Sequence, residues 1–276
     1  MITEEQIRFW DDNGYLKYGK VLEQGDVAEL LERLNQIALI ESKGGDDSSV
    51  EFSVGHARDE TEAGYEPEAI RQYLNLWKRD EAYDKVVRHP LVTGITKRLL
   101  KTPALRLWHD HMISKPPGEN ARFQFHQDFY NWPLADPNIL TCWIALDDAT
   151  VANGCMHVVP GSHHDPRFSV EARKLELEEL AKNPDARTER VIMGEHDVSF
   201  GVPVELKSGE CMFHHSLNFH STPKNTTDSQ RRAFVIIYLP EGMCFDNTQA
   251  WDHPLVPLIE SKHGDPITGS SFPVVG

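Results

Sequence analysis

Arg122-Phe-Gln-Phe-His-Gln-Asp-Phe-Tyr-Asn-Trp132 reads as a short strand that ends in a cluster of chemistry. Phe123 and Phe125 alternate with polar neighbours up to His126, the period of a half-buried strand. Rigid strands hold ligands more accurately than loops do. His126-Gln127-Asp128 supplies an imidazole and a carboxylate; His220 and Arg231 follow downstream. Two imidazoles and one carboxylate can occupy one face of an octahedral Fe(II), leaving three positions open for a co-substrate and oxygen. An arginine can clamp a carboxylate with two parallel hydrogen bonds.

Together these parts suggest an oxygenase that uses iron and 2-oxoglutarate. The bare pattern His-x-Asp is weak, however, because the chain has 14 His and 43 acidic residues. It recurs at His163-His164-Asp165 and at His263-Gly264-Asp265. His263 has no later histidine to complete a triad in this order. His163 lies between Pro160-Gly161-Ser162 and Pro166, a turn in which a histidine is expected to be solvated.

Around this stretch, from about residue 104 to 240, segments are short and strand-like. They are Ala104–Ser114, Arg122–His126, Leu140–Leu146, Cys155–Val159, Val202–Leu206, Cys211–His215 and Arg232–Leu239. Gly and Pro punctuate them, as in a double-sheet jelly roll. One helix is expected at about 169–182, where Leu175, Leu177 and Leu180 recur. The first part, about 1–101, reads as helical. Thr3 caps a helix ending near Asn13-Gly14, and Val27, Leu30, Leu31, Leu34 and Ile37 repeat at helical spacing to about Ser42. Further helical patterns lie at about 67–78, 80–88 and 90–101. Residues 43–65 read as a long loop, a candidate lid. Residues 241–276 are expected to wrap the surface. The fold expected is mainly β with flanking helices: one domain over 1–276, a cupin-like double-stranded β-helix core and an N-terminal helical part.

Composition narrows the function. The content is 39% hydrophobic and 26% charged, ordinary for a globular protein. The polar, acidic N-terminus is no secretory signal. The longest wholly apolar run, Ala233 to Leu239, falls far short of the ~20 residues that span a bilayer. The expectation is a soluble cytoplasmic protein. A net charge of −15 argues against nucleic-acid or anionic-membrane partners. The oligomeric state is not readable. Cys142, Cys155, Cys211 and Cys244 form no C-x-x-C pair and read as small buried hydrophobes.

The chain resembles the phytanoyl-CoA dioxygenase family over nearly its whole length. The matching stretches begin with Ile2-Thr-Glu-Glu-Gln-Ile-Arg-Phe-Trp-Asp-Asp-Asn-Gly-Tyr15 and His126-Gln-Asp-Phe-Tyr130. They continue with Thr141-Cys-Trp-Ile-Ala-Leu-Asp-Asp148 and Asn153-Gly-Cys-Met-His-Val-Val-Pro-Gly-Ser-His163. Ser208-Gly-Glu-Cys-Met-Phe-His-His215, His220-Ser-Thr-Pro-Lys-Asn225 and Arg231-Arg-Ala233 complete the resemblance. It implies a double-stranded β-helix using Fe(II), 2-oxoglutarate and O2. It maps the iron ligands, the catalytic set, onto His126, Asp128 and His220, and the 2-oxoglutarate arginine onto Arg231.

Alternatives stay open. Arg232 neighbours Arg231, and strand parity does not choose between them; the loser is expected to be a solvated surface arginine. His214 and His215 rival His220, which family spacing to Asn225 and the arginine favours. Of His109 and His111, one is expected to contact co-substrate, with His111 the choice, and the other to be solvated. Trp143, Thr222 and Lys115 are further candidates for the 2-oxoglutarate site, Trp143 equally for plain core packing. Phe129, Tyr130 and Trp132 are the expected substrate wall, holding an apolar ring or a cationic group, or else core.

Related halogenases replace the position of Asp128 with a small residue, so its presence argues for hydroxylation of an unactivated C–H bond. Desaturation, cyclisation or epimerisation would begin with the same hydrogen abstraction. The rivals are a cupin-like Zn or Mn isomerase or hydrolase and a non-catalytic binding protein. The substrate expected is a small metabolite, the charge making a CoA thioester less attractive.

Overall fold

Thr3 opens the first helix with a reciprocal cap. Its hydroxyl accepts from the Gln6 amide, and the Gln6 side chain accepts from the Thr3 amide. This helix, α1 (Glu4–Asn13), ends at Gly14, whose φ is 72°. A Cβ there would lie 2.4 Å from His163 Nδ1, so both the turn and the close approach require glycine. The computed structural model describes residues 1–41, 51–53, 70–118, 122–183, 201–248, 250 and 253–276. The expected lid at 43–65 therefore falls almost entirely outside the described residues.

After α1 come β1 (Tyr15–Lys20), α2 (Gln24–Glu41), β2 (Glu51–Ser53), β3 (Arg71–Leu74), α3 (Glu81–Val87), α4 (Pro90–Leu99) and β4 (Leu105–Lys115). Then follow β5 (Phe123–His126), β6 (Leu140–Ala145), β7 (Met156–Val158), α5 (Val170–Lys182) and β8 (Val202–Val204). The last elements are β9 (Glu210–His215), β10 (His220–Thr222) and β11 (Arg231–Pro240). The pairing is antiparallel throughout. A seven-stranded sheet has the order β1-β9-β6-β11-β4-β3-β2, and a four-stranded sheet the order β5-β10-β7-β8.

The large sheet is buried on both faces. Phe234, Ile236 and Tyr238 of β11 face the helices; Ala233, Val235 and Ile237 face the interior between the sheets. Two phenols tie the helical layer down: Tyr83 donates to the Leu30 carbonyl and Tyr238 to the Val87 carbonyl, both at 2.7 Å. Each large apolar side chain so buried contributes about 1.5–3 kcal/mol.

Several expectations are corrected. The helical pattern at 67–78 is instead β3 followed by a 3₁₀ turn at Leu76–Lys78. The edge of β4 captures the segment, pairing Gln72 with Ile113 and Leu74 with His111. Strand β1, unexpected, pairs with β9. Helix α5 exists, but it presents Leu175 and Leu177 outward, 67% and 49% exposed, and buries Glu176 against Arg173. The C-terminal segment is more than a surface wrap, because Phe272 is fully buried and stacks on Trp108 at 5.0 Å. Cys142, Cys155 and Cys211 are buried and Cys244 partly so, all as free thiols. Among the described residues, no helix is long and apolar enough to cross a membrane.

Candidate active site

Cross-strand pairing in the small sheet brings two imidazoles side by side. His126 ends β5 and His220 begins β10, and they are direct partners with ring centres 4.3 Å apart. The His126 Nδ1–H donates to the Gln124 carbonyl at 2.7 Å, and that of His220 to the Asn218 carbonyl at 2.8 Å. Each ring is thus held in the tautomer that frees Nε2 as a ligand.

Asp128 follows β5 in a 3₁₀ turn and points one oxygen at each task. Its Oδ1 lies 3.5 Å from His126 Nε2 and 3.6 Å from His220 Nε2. Its Oδ2 accepts from Thr141 Oγ1 at 3.2 Å and from His214 Nε2 at 3.0 Å. The three ligand atoms lie within 4.8 Å of one another. Cis ligands on a metal with bonds of about 2.1 Å sit about 3.0 Å apart, so the two Asp128–histidine separations need a contraction of only roughly half an ångström to close on an ion.

The electrostatics favour the ligating forms. Burial alone would raise Asp128, but the polar contacts of His220, His126 and His214 hold it well below the usual carboxylate range. Burial beside His126 and His214 drives His220 down to about 3, leaving it neutral. His126 goes the other way: Asp128 and the Gln124 carbonyl together outweigh burial and raise it.

Arg231 opens β11 in register with Lys115 of β4. It is 0% exposed, and Nε, Nη1 and Nη2 have no protein hydrogen-bond acceptor. Its guanidinium lies over Trp143 at 5.5 Å. Burial lowers it only to about 10, so it stays charged at neutral pH. A buried cation with every donor unsatisfied fits an acidic ligand such as the far carboxylate of 2-oxoglutarate.

Arg232 faces the other side, paired to both oxygens of Asp147 at 2.7 Å; it is half-buried rather than solvated. Asp148, beside it, accepts from the Ser208 amide and pairs with Lys207. His215 also faces away from the site: its Nδ1 accepts from the Leu217 amide and its ring lies near Trp10. His163 is not a solvated turn histidine. Its ring lies tilted against that of His164 and contacts the Asp11 carbonyl, and burial brings it down to about 4.

The triad opens on a cavity of about 860 Å³ between the sheets. Trp143, Thr222, Tyr130 and Trp132 line it, and so do both His109, which is buried, and His111, which is half-buried. Phe129 does not; it is 2% exposed and packed in the inter-sheet core. Lys115 is fully buried and reaches Thr222 and the Pro223 carbonyl rather than lining the cavity. Sequence reasoning missed Gln72, Thr141, Met156 and His253 as cavity residues, and the bond from His214 to Asp128. Strand parity with Met212 was the available signal for His214. No local signal marks His253, which the C-terminal segment delivers.

A centre that leaves half of a metal's coordination sphere open beside an unpaired buried cation belongs to the oxygenases that use Fe(II), 2-oxoglutarate and O2. More narrowly, the chain belongs to the phytanoyl-CoA dioxygenase (PhyH) family, whose model matches residues 10–233. It is similar to a probable phytanoyl-CoA dioxygenase of Caenorhabditis elegans, 26% identical over 253 residues, covering 88% of this chain and 77% of the relative. Among solved structures, it resembles the non-heme alpha-ketoglutarate-dependent carbocyclase SnoK from nogalamycin biosynthesis. That likeness has a TM-score of 0.72 and 24% identity, covering 100% of this chain and 97% of the other. The epimerase SnoN, solved with Fe3+, alpha-ketoglutarate and nogalamycin RO, gives 0.71 and 23%, covering 99% and 98%.

Proposed function

We propose that this protein hydroxylates an unactivated C–H bond of a small-molecule metabolite, releasing succinate and carbon dioxide. His126, Asp128 and His220 are the proposed iron ligands, and Arg231 the clamp on 2-oxoglutarate. Trp143 and Thr222 border that co-substrate, Lys115 adds charge from behind, and Tyr130 and Trp132 face the substrate. We read the two sheets as a double-stranded β-helix that forms one catalytic domain in the cytoplasm.

The observation that carries this reading is the fully buried, unpaired Arg231 on the same cavity as the triad. A cupin-like isomerase or hydrolase would have no need of such a cation. When bound, iron and 2-oxoglutarate supply the oxidising chemistry; the chain's residues do the rest. Nδ1–H bonds to backbone carbonyls orient both histidines. Thr141 and His214 occupy one oxygen of Asp128 and leave the other for the metal. A carboxylate at this position also leaves no place there for a halide. The aromatic wall excludes water and orients the target carbon.

A second outcome has its own support, since SnoK and SnoN, a carbocyclase and an epimerase, match the whole chain. Ring closure or epimerisation would use the same residues. Anaerobic titration with Fe(II) and 2-oxoglutarate tests the common part: a metal-to-ligand charge-transfer band is expected, lost in Arg231→Met and His220→Ala. No band, with another ion tightly held, would sink the reading. Turnover under 18O2 then separates the outcomes, because hydroxylation places 18O in the product and epimerisation does not.

A further inference from the structure

The end of the cavity away from Arg231 is lined by imidazole. His109 and His111 share one face of β4, with His111 opposite Val235 and His109 opposite Ile237 of β11. Arg231 therefore lies four residues along the strand from the first row and six from the second, about 13 and 20 Å at ~3.3 Å per residue. His253, from the C-terminal segment, closes this end with its ring 6.0 Å from that of His109.

The two strand histidines constrain each other. Their Nδ1 atoms approach to 3.4 Å. Such a contact needs one N–H and one lone pair, so the two rings are not both charged, and when both are neutral they are of opposite tautomer. Two imidazolium rings would set N–H against N–H. Burial favours the neutral forms: with His253 it brings His111 down to about 4 against the pull of Asp128, and with His111 and His253 it holds His109 well below its ordinary value. The two Nε2 atoms are then one donor and one acceptor. A hydroxyl group, which both donates and accepts, satisfies such a couple. A carboxylate or phosphate, acceptor only, leaves one nitrogen unmatched, and a quaternary ammonium satisfies neither.

Charge points the same way. Among the described residues lining the cavity, Arg231 is the one permanent cation and Asp128 the one acid. On the proposed function both are committed, to co-substrate and to metal. Among these described residues an ionised substrate would find no partner of opposite charge, and an unpaired buried charge is costly.

We infer that His109, His111 and His253 form the substrate-recognition wall, and that the substrate is an uncharged, hydroxyl-bearing molecule held between this wall and Trp132. This rests on the oxygenase reading, whose charge-transfer band serves as its separate control. The test is a screen of the anaerobic Fe(II)–2-oxoglutarate complex, scored by the shift of that band on adding a second ligand. The library holds uncharged hydroxylated ring compounds, CoA thioesters, amino acids and quaternary ammonium compounds. The expected hits are uncharged and hydroxylated, and bind at least tenfold more weakly to His109→Leu. His109→Gln, which keeps a donor and an acceptor, recovers part of the loss. If His109→Leu fails to fold, His253→Ala must show the loss instead.

A strongest hit that is an anion or a quaternary ammonium overturns the inference. So does a neutral hit indifferent to both histidines, or a screen in which no uncharged hydroxylated compound moves the band. A wild-type protein that never forms the band overturns the oxygenase reading instead.

Discussion

Replacing Arg231 with methionine is expected to make the ligand-free protein more stable while destroying co-substrate binding. The guanidinium is fully buried, and its three nitrogens lack protein acceptors. Each unsatisfied buried group costs about 1–3 kcal/mol, more when charged. The Trp143 face at 5.5 Å returns roughly 0.5–2 kcal/mol. At the low end of these ranges, about 1 kcal/mol for each nitrogen less about 1 for the ring, the balance leaves about 2 kcal/mol of strain, which an unbranched apolar side chain removes. For a chain of this size that is a rise in Tm of about 4–8 °C. With 2-oxoglutarate at a hundred times its Kd, the wild-type protein gains about 2.7 kcal/mol and the variant nothing. The order of melting therefore inverts on adding the co-substrate. Differential scanning fluorimetry with Mn(II), with and without 2-oxoglutarate, reads both arms. Arg232→Met is the control: it strips Asp147 of its partner, lowers Tm and keeps the co-substrate shift. The reasoning is refuted if ligand-free Arg231→Met melts below wild type, or if it still responds to 2-oxoglutarate.

Three further outcomes follow from the geometry. His214→Leu should weaken metal binding 10–100-fold by removing one of the two hydrogen bonds on Asp128 Oδ2, with His214→Gln partly restoring it; equal affinities in metal titrations would exclude the positioning role. Gly154→Ala should cost 2 kcal/mol or more, roughly, in urea unfolding, since φ is +82° and the new Cβ would lie 2.4 Å from the Pro223 carbonyl oxygen; a smaller loss means the loop yields. Burial lifts Asp110 to about 7 despite bonds from the Leu76 and Trp77 amides. A raised carboxyl favours folding below its unfolded value near 3.8, a contribution lost as pH climbs through 7. Wild type should therefore lose stability relative to Asp110→Asn between pH 4 and 7, and a flat difference in denaturant titrations would contradict the assignment.

The elements differ in how openly they show themselves in the chain. Helix α2 is legible because one face meets the core and the other meets water, so Val27, Leu30 and Leu34 repeat at helical spacing. Strand β3 is not, because a four-residue strand carries no period of its own and takes its conformation from its neighbours β4 and β2. Helix α5 misleads: its leucines suggest a buried stripe that the fold turns outward. In the large sheet both faces are dry, so β6 and β11 lose the apolar–polar alternation that would tell inside from outside.

By itself, then, the sequence determined the mainly β architecture with its helical start, the candidate ligands His126, Asp128 and His220, and a choice between two arginines. Those follow from local periodicity, ligand chemistry and family resemblance, none of which needs a third dimension. Only the tertiary structure decided that Arg231 faces the cavity while Arg232 pairs with Asp147, and that His214 turns toward Asp128 while His215 turns away. It alone brought His253 from the C-terminal segment to His109. The physical reason is the same in each case: a strand buried on both faces assigns its side chains by what packs against it, and those partners lie far away along the chain.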